Sequence, residues 1–536
     1  MEDTAVIAEK TNRSNDQPNH DRSHAEIMVV ISALMLAMLL AALDQTIVAT
    51  ALPRIASDLS GLNKLSWVAT AYLLTSAIST PLYGKIGDLF GRKKIFQISI
   101  IIFLAGSALC GLSQSMDQLV IFRALQGIGA GGLMSLALAI IGDVVPPRQR
   151  GRYQGYFGAV FGLASIAGPL LGGFLANEHT LLGVSGWRWI FYINLPLGAV
   201  ALLAIARRLH LPKFVAKHQI DYKGAALLSI SAGALIFMSV WAGVTYPWGS
   251  WQILSLLIGG LIFAVLFVLN ERKAAEPIIP LNLFKGSIFT VAVIMSLLAG
   301  IAMFAAILYI PEYQQIIRGY SPIKSGLLLF PMILGIFGAS LTSGRLITRF
   351  GHYRPFPIIG GVLLIIGLWL FSGLGLNTSQ LTLSIWMLIL GLGIGLFMQV
   401  PILAVQNSVP FKQMGAGTST AAFARSLGSS FGGAVFGTII IARLNAHLHT
   451  MLPQFKGSIN ASAIAGGTSG LRNIPLPIQH KIYESFVLSF HDMFLYAIPV
   501  AVVALFFALI LKEVPLRDSG KTYAQGEGFD LGSEMA

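Results

Sequence analysis

Three ionisable residues stand inside stretches that are otherwise apolar: Asp44 in AALDQTIVATALP, Arg123 in RALQGIGAGG and Glu312 in YIPEYQQ. An ionised side chain at the centre of a membrane-spanning helix costs roughly 2.5 to 3.5 kcal/mol, so it belongs in a cavity or a bundle interior. A carboxylate whose solvation changes between two conformations binds a proton when dry and releases it when wet or beside a cation. Asp44 is therefore a candidate proton-coupling residue; the alternative is a side chain near a helix end that satisfies a neighbour without titrating. Arg123 cannot lose its proton at accessible pH and needs a partner. That partner is a carboxylate whose proton affinity it tunes or a set of ordered waters, with a purely structural buried pair as the alternative.

Glu312 follows Pro311 near the outer end of its span. It is a candidate second carboxylate for a cationic substrate or a proton, or a side chain that reaches outer water. Gln399, Gln406 and Asn407 at the inner end of one late span, and Arg425 in the next, are further polar candidates whose default role is interhelical hydrogen bonding. No metal site is expected. The single cysteine, Cys110, lies among apolar neighbours, which excludes an internal disulfide and argues against thiolate ligation. No G-x-x-x-x-G-K-[ST] pattern occurs, so ATP drive within this chain is not expected.

The elements that position these residues are spanning helices. Of 536 residues, 55% are apolar and 11% charged, where a soluble domain has roughly 25% charged. Apolar runs of spanning length recur along the chain, and fourteen spans are predicted, from 27–51 through 224–245 and 251–270 to 492–511. The net charge of +13 raises the question of nucleic acid, but most of the 36 Lys and Arg fall in the tails and inner loops, as topology requires. A phosphate-binding surface would be continuous. Residues 1–26 and 512–536 read as cytosolic tails, and the polar start does not resemble a cleavable signal. The expected partners are the lipid bilayer and a small lipophilic substrate, with no nucleic acid and an accessory protein left open.

GKIGDLFGRKK from Gly84 has a counterpart, GRLITRFGHYR, from Gly344, and PPRQRGRYQG from Pro146 has PFKQMGAGTS from Pro410. Two similar six-helix halves follow, 27–210 and 288–511, with 211–287 holding an inserted pair. Parallel repeats of this kind bind substrate near the membrane midplane between the halves. The longest outer loop, 442–491, ends in IQHKIYESFVLSFHDM. This is either an amphipathic interfacial helix or a lead into the last span.

Ala33, Ala37 and Ala41 form a small-residue packing face that Asp44 continues. Counted from Ile27 at 1.5 Å per residue, Asp44 lies about 25 Å along its helix, where outside water is expected to reach it. Gly127, Ala130 and Gly131 after Arg123 let another helix approach. In GPLLGG, Gly168, Pro169, Gly172 and Gly173 permit a bend and a tight contact, or packing without motion. Gly84 and Gly91 suit a tight inner turn, Asp88 can accept from an arginine or a helix N-terminus, and Arg92 to Lys94 hold the loop at the surface.

Together these elements resemble the major facilitator superfamily, in its fourteen-span drug:proton antiporter branch of quaternary-ammonium and multidrug exporters. LDQTIVATALP is similar to that branch's first-helix signature, GKIGDLFGRKK to the superfamily's loop motif, RALQGIGAGG to the span 4 motif, and GPLLGG to the antiporter motif of span 5. WRWIFYINLPLG, from Trp187 to Gly198, resembles the entry to span 6. The resemblance implies an all-α major facilitator fold. It implies a protonation site at Asp44 supported by Arg123, a cytoplasmic gate at Gly84, Asp88, Gly91 and Arg92, and export favoured by Gly168 to Gly173. Glu312, Gln399 and Arg425 are candidates for substrate or a second proton. The chain departs from the pattern at Leu89, where a basic residue often stands, and at Glu312, where an apolar one does.

The expected protein is not an enzyme. It is expected to be a proton-coupled antiporter of the inner membrane, with both termini cytosolic and the proton as its only cofactor, exporting lipophilic, cationic compounds by alternating access. The alternatives are an exporter of one metabolite, siderophore or lipid, and a non-transporting membrane sensor.

Overall fold

Long helices, most broken only by short connections, make up most of the computed structural model, which describes residues 24–61, 64–177, 180–209, 211, 219–243, 245–453, 475–514 and 516. They are α1 (His24–Asp58), α2 (Leu65–Phe90), α3 (Arg92–Leu112), α4 (Met116–Val144), α5 (Arg150–Asn177), α6 (Asn194–Arg208), α7 (Tyr222–Trp241), α8 (Trp251–Glu271), α9 (Ser287–Ile316), α10 (Phe330–Phe350), α11 (Pro355–Ser372), α12 (Gln380–Ser408), α13 (Met414–Met451) and α14 (Leu476–Ile510). Thirteen helical segments among the described residues are long and apolar enough to cross a membrane. The exception, α2, carries Lys85, Asp88 and several Ser and Thr, yet packs inside the bundle against α4. The architecture is all-α and polytopic. Most of the expected N-terminal tail, most of the C-terminal one and the Gly/Ser-bearing part of the outer loop lie outside the described residues, while residues 24–26 of the former begin α1.

Helix starts follow capping chemistry: Ser115, Asp221, Ser250 and Ser379 each accept from a backbone N–H three residues on. The predicted repeat has a geometric counterpart. Gly91 and Gly351 both follow a helix end with positive φ, 91° and 78°. Pro146 and Pro410 both precede a single 3₁₀ turn, Pro147–Gln149 and Phe411–Gln413. Gly84, expected to allow the tight inner turn, instead lies within α2 and serves close packing.

The apolar core divides along the chain. One set of buried residues runs from Leu283 to Leu516, and two others lie almost wholly between Val30 and Leu209. A smaller core joins α7 and α8 to Ile78 and Leu82 of α2 and Phe423 and Leu427 of α13. The end of the molecule holding the α2–α3, α4–α5 and α12–α13 connections is termed the basic end. The segment from Ile478 to Met493 is not a separate interfacial helix: it is continuous with α14, and Ile482 and Phe486 are fully buried. The same spacing that suggested an amphipathic face is the face that packs inward.

Candidate functional site

Asp44 and Arg123 form an ion pair in the interior of the first bundle, 0% and 1% exposed. The second carboxylate oxygen of Asp44 accepts from Gln126 Nε2 at 2.8 Å and Asn194 Nδ2 at 3.0 Å. Arg123 also donates to Gln126 Oε1 at 2.8 Å and lies 4.2 Å from the Tyr72 ring centroid. Tyr72 in turn donates to Ala41 O at 3.0 Å, one turn before Asp44, and Asn194 donates to Ser107 Oγ at 2.9 Å. Helices α1, α2, α3, α4 and α6 thus meet at one polar cluster. In this conformation outside water does not reach Asp44, contrary to the estimate from its depth. Depth along a helix says nothing of which way a side chain faces, and the alanine face turns Asp44 into the bundle.

Glycines bring the helices close enough. A Cβ on Gly127 would stand 2.4 Å from Tyr72 O, and one on Gly131 2.5 Å from Ser76 O, so α4 lies directly against α2. The antiporter motif packs on α1 just beyond Asp44. A Cβ on Gly168 would meet Thr46 Oγ1 at 2.1 Å, and one on Gly172 would meet Ile47 O at 2.6 Å. Gly173 faces Ile323, and Pro169 stands against Gly326 in the second half. Pro169 lies within the unbroken α5, so the motif is a packing surface between α1 and the opposite half.

At the basic end, Asp88 accepts from Gly415 N at 2.9 Å and Ala416 N at 2.8 Å, capping the N-terminus of α13 across the boundary between halves. Arg92 donates to Asp88 at 2.6 Å and also pairs with Asp143 at the end of α4. Leu89 is buried, and no basic residue is needed there, because Arg92 bridges both carboxylates. A Cβ on Gly84 would meet Gly415 O at 2.6 Å, and one on Gly344 would meet Gly151 O at 2.2 Å. The basic end is closed by two matching backbone contacts.

The remaining candidates are not drawn to Asp44. Gln399 is buried and donates to Ser343 Oγ at 3.4 Å, with its Oε1 unpartnered. Gln406 joins the closed end, and Asn407 donates to Val514 O at 3.2 Å. The side chains of Glu312 and Arg425, both partly buried in the second half on α9 and α13, have no hydrogen bond or ion pair among the described residues. Sequence reasoning missed Gln126, Asn194, Tyr72 and Asp143 as functional neighbours. Gln126 and Asn194 stood in the quoted stretches RALQGIGAGG and WRWIFYINLPLG, three residues from Arg123 and in an apolar run respectively.

A sequence profile of the Major Facilitator Superfamily matches residues 34–433. The chain is 40% identical over 435 residues to the multidrug transporter protein MdtP of Bacillus subtilis, covering 81% of this chain and 79% of that one. It is 36% identical to multidrug resistance protein 3 of the same organism, covering 90% and 94%. Among solved structures, the proton:xylose symporter XylE superposes with a TM-score of 0.60 at 15% identity, covering 92% of this chain and 98% of that one, a likeness of fold.

Proposed function

The chain belongs to the Major Facilitator Superfamily, and on that premise we propose that it is a proton-coupled exporter of lipophilic, cationic compounds working by alternating access. Two of its relatives carry multidrug names, MdtP and multidrug resistance protein 3, which supports drug efflux as the direction and substrate class. The observation that carries proton coupling is the wholly buried Asp44–Arg123 pair. A proton arriving on Asp44 would leave Arg123 buried beside a neutral acid, and removing one partner of a buried pair costs about 3–5 kcal/mol. Protonation therefore demands repacking of α1 against α4. Because α1 also bears the antiporter-motif contacts to α5, that repacking reaches the boundary between halves.

The basic end is the cytoplasmic face in this reading, since its loops hold most of the positive charge. Export then starts from an opposite conformer open at the basic end, and the conformer described here is closed there. Glu312, whose side chain has no described partner on the second half, is the charge left for a cationic substrate. A one-for-one exchange of a proton for a monovalent cation moves no net charge, so the pH gradient drives it, at about 1.4 kcal/mol, or a tenfold substrate gradient, per pH unit.

The test is efflux of a fluorescent lipophilic cation from proteoliposomes under an imposed pH gradient. Wild type is expected to respond to the gradient and Asp44→Asn to lose that response. Undiminished gradient-driven efflux by Asp44→Asn would remove Asp44 from proton coupling. Transport of a single lipid or metabolite in place of a drug panel would replace the substrate class.

A further inference from the structure

Beyond the Asp88 cap, the closed basic end contains a buried arginine, within the repeated stretch PPRQRGRYQG, to which no role has so far been given. Arg150, 4% exposed, begins α5. Its Nε donates to Val145 O at 3.2 Å and its Nη2 to Gly142 O, both in its own half. Its Nη1 crosses the boundary and donates to Gln406 O at 3.0 Å.

Gly142 and Gln406 hold the same place in the two repeats. Each follows the residue whose carbonyl accepts the last N–H of its helix: Val145 N to Ile141 O at 2.9 Å in α4, and Val409 N to Val405 O at 3.0 Å in α12. Carbonyls in a last turn lack an intrahelical donor and form the negative end of the helix dipole. Two such ends, one from each half, converge on one guanidinium whose planar fork can serve several acceptors. The repeat places Met414, buried, at the position matching Arg150, and Met414 Cγ lies 3.5 Å from where a Cβ on Gly142 would stand. Both helix ends are left to Arg150. Gln154, one turn further along α5, donates to Gln406 Oε1 at 2.8 Å, and Gln406 Nε2 donates back to Leu138 O at 2.9 Å.

We propose that Arg150 is a positioning residue for transport that clasps the C-terminal ends of α4 and α12 and holds the basic end shut. It complements Asp88, which takes the positive end of α13, and opening requires it to release Gln406 O while keeping the Gly142 and Val145 carbonyls. The inference rests on the alternating-access reading, but its test does not depend on transport.

Spin labels at Lys94→Cys and Phe350→Cys, exposed at the basic end of either half, report separation in the full chain reconstituted in nanodiscs; Cys110 is buried and stays unlabelled. Arg150→Met is expected to raise the ratio of separated to closed molecules about tenfold, equivalent to about 1.4 kcal/mol. Adding Met414→Arg is expected to restore closure, because an arginine there meets the same two carbonyls from the opposite half, a rescue that a merely structural role would not give. Should Arg150→Met not fold, Arg150→Lys keeps the charge without the fork and is expected to shift the ratio in the same direction by less. A distance distribution unchanged from wild type in Arg150→Met, or in Arg150→Lys where that variant is read, overturns the clasp. So does a double variant as open as Arg150→Met. Failure of wild type to move any drug would count against the functional reading instead, and the distance comparison would still decide the clasp.

Discussion

Asp44 is held by three donors on two other helices, Arg123 and Gln126 from α4 and Asn194 from α6. Removing one member of such a network leaves the others buried without partners, while removing both charges leaves no stranded ion. Arg123→Gln alone is therefore expected to lower stability by about 3–5 kcal/mol, read as a fall in the thermal midpoint of the detergent-solubilised protein. Arg123→Gln with Asp44→Asn is expected to regain much of that loss without regaining gradient-driven efflux. A double variant as unstable as Arg123→Gln would show that the arginine's packing on Tyr72, not its charge, supports the bundle. Glu312 calls for a different readout, since no described residue neutralises it. Glu312→Gln is expected to weaken efflux of a dication more than that of a neutral drug, measured as the ratio of their apparent KM values, and equal effects on both would place Glu312 outside the substrate path.

The helices meet where side chains are missing. At the basic end α2 rests on α13 at Gly84 and Gly415, and α10 rests on α5 at Gly344 and Gly151, so the two seams are copies of one contact. Only the first has a carboxylate cap: the residue matching Asp88 is Thr348, whose hydroxyl donates to Gly344 O within its own helix. The second seam accordingly depends more on close backbone approach. Gly344→Val would drive a methyl into Gly151 O, and overpacking of this kind costs about 1–3 kcal/mol, roughly 5- to 150-fold in the closed-to-open ratio. The expected outcome is faster alkylation of Ser419→Cys, which lies against Gly84 and is fully buried when the end is shut. An unchanged rate would mean that this seam does not bear on closure. These glycine pairs were legible in the sequence as repeats, because each copy of a close helix contact needs a residue without a side chain. Their partners across the boundary were not, since no local pattern encodes which helix of the other half lies opposite. For the same reason Arg123 declared its need for a partner, while its partner's identity waited on the packing of α1 against α4.

At the scale of the whole molecule, composition and repeat led to the expectation of two six-helix halves and an inserted pair, but not of where that pair sits. It lies across the seam between α2 and α13 and touches both halves: Trp67 of α2 stacks near Phe237 and Trp241 of α7, and Trp248 donates to Thr438 of α13 at 3.0 Å. At the basic end Lys85, within GKIGDLFGRKK, pairs with Glu276 in the α8–α9 connection at 2.6 Å, with side chains 14% and 28% exposed. In the alternating-access reading, relative motion of the halves slides α7 and α8 along at least one of the two helices they cover. A Lys85–Glu276 tether that holds through the motion would keep the insert with the first half and leave its α13 face to slip. Partly exposed pairs contribute about 1 kcal/mol or less, so Lys85→Glu should slow efflux by severalfold rather than abolish it. Reversing the partner as well, with Glu276→Lys, should recover most of the rate, giving a coupling energy in a double-variant cycle that neither single change supplies. If the reversed pair is no faster than Lys85→Glu, the tether carries no load in the transport cycle, and the insert is held to α2 by its apolar contacts alone.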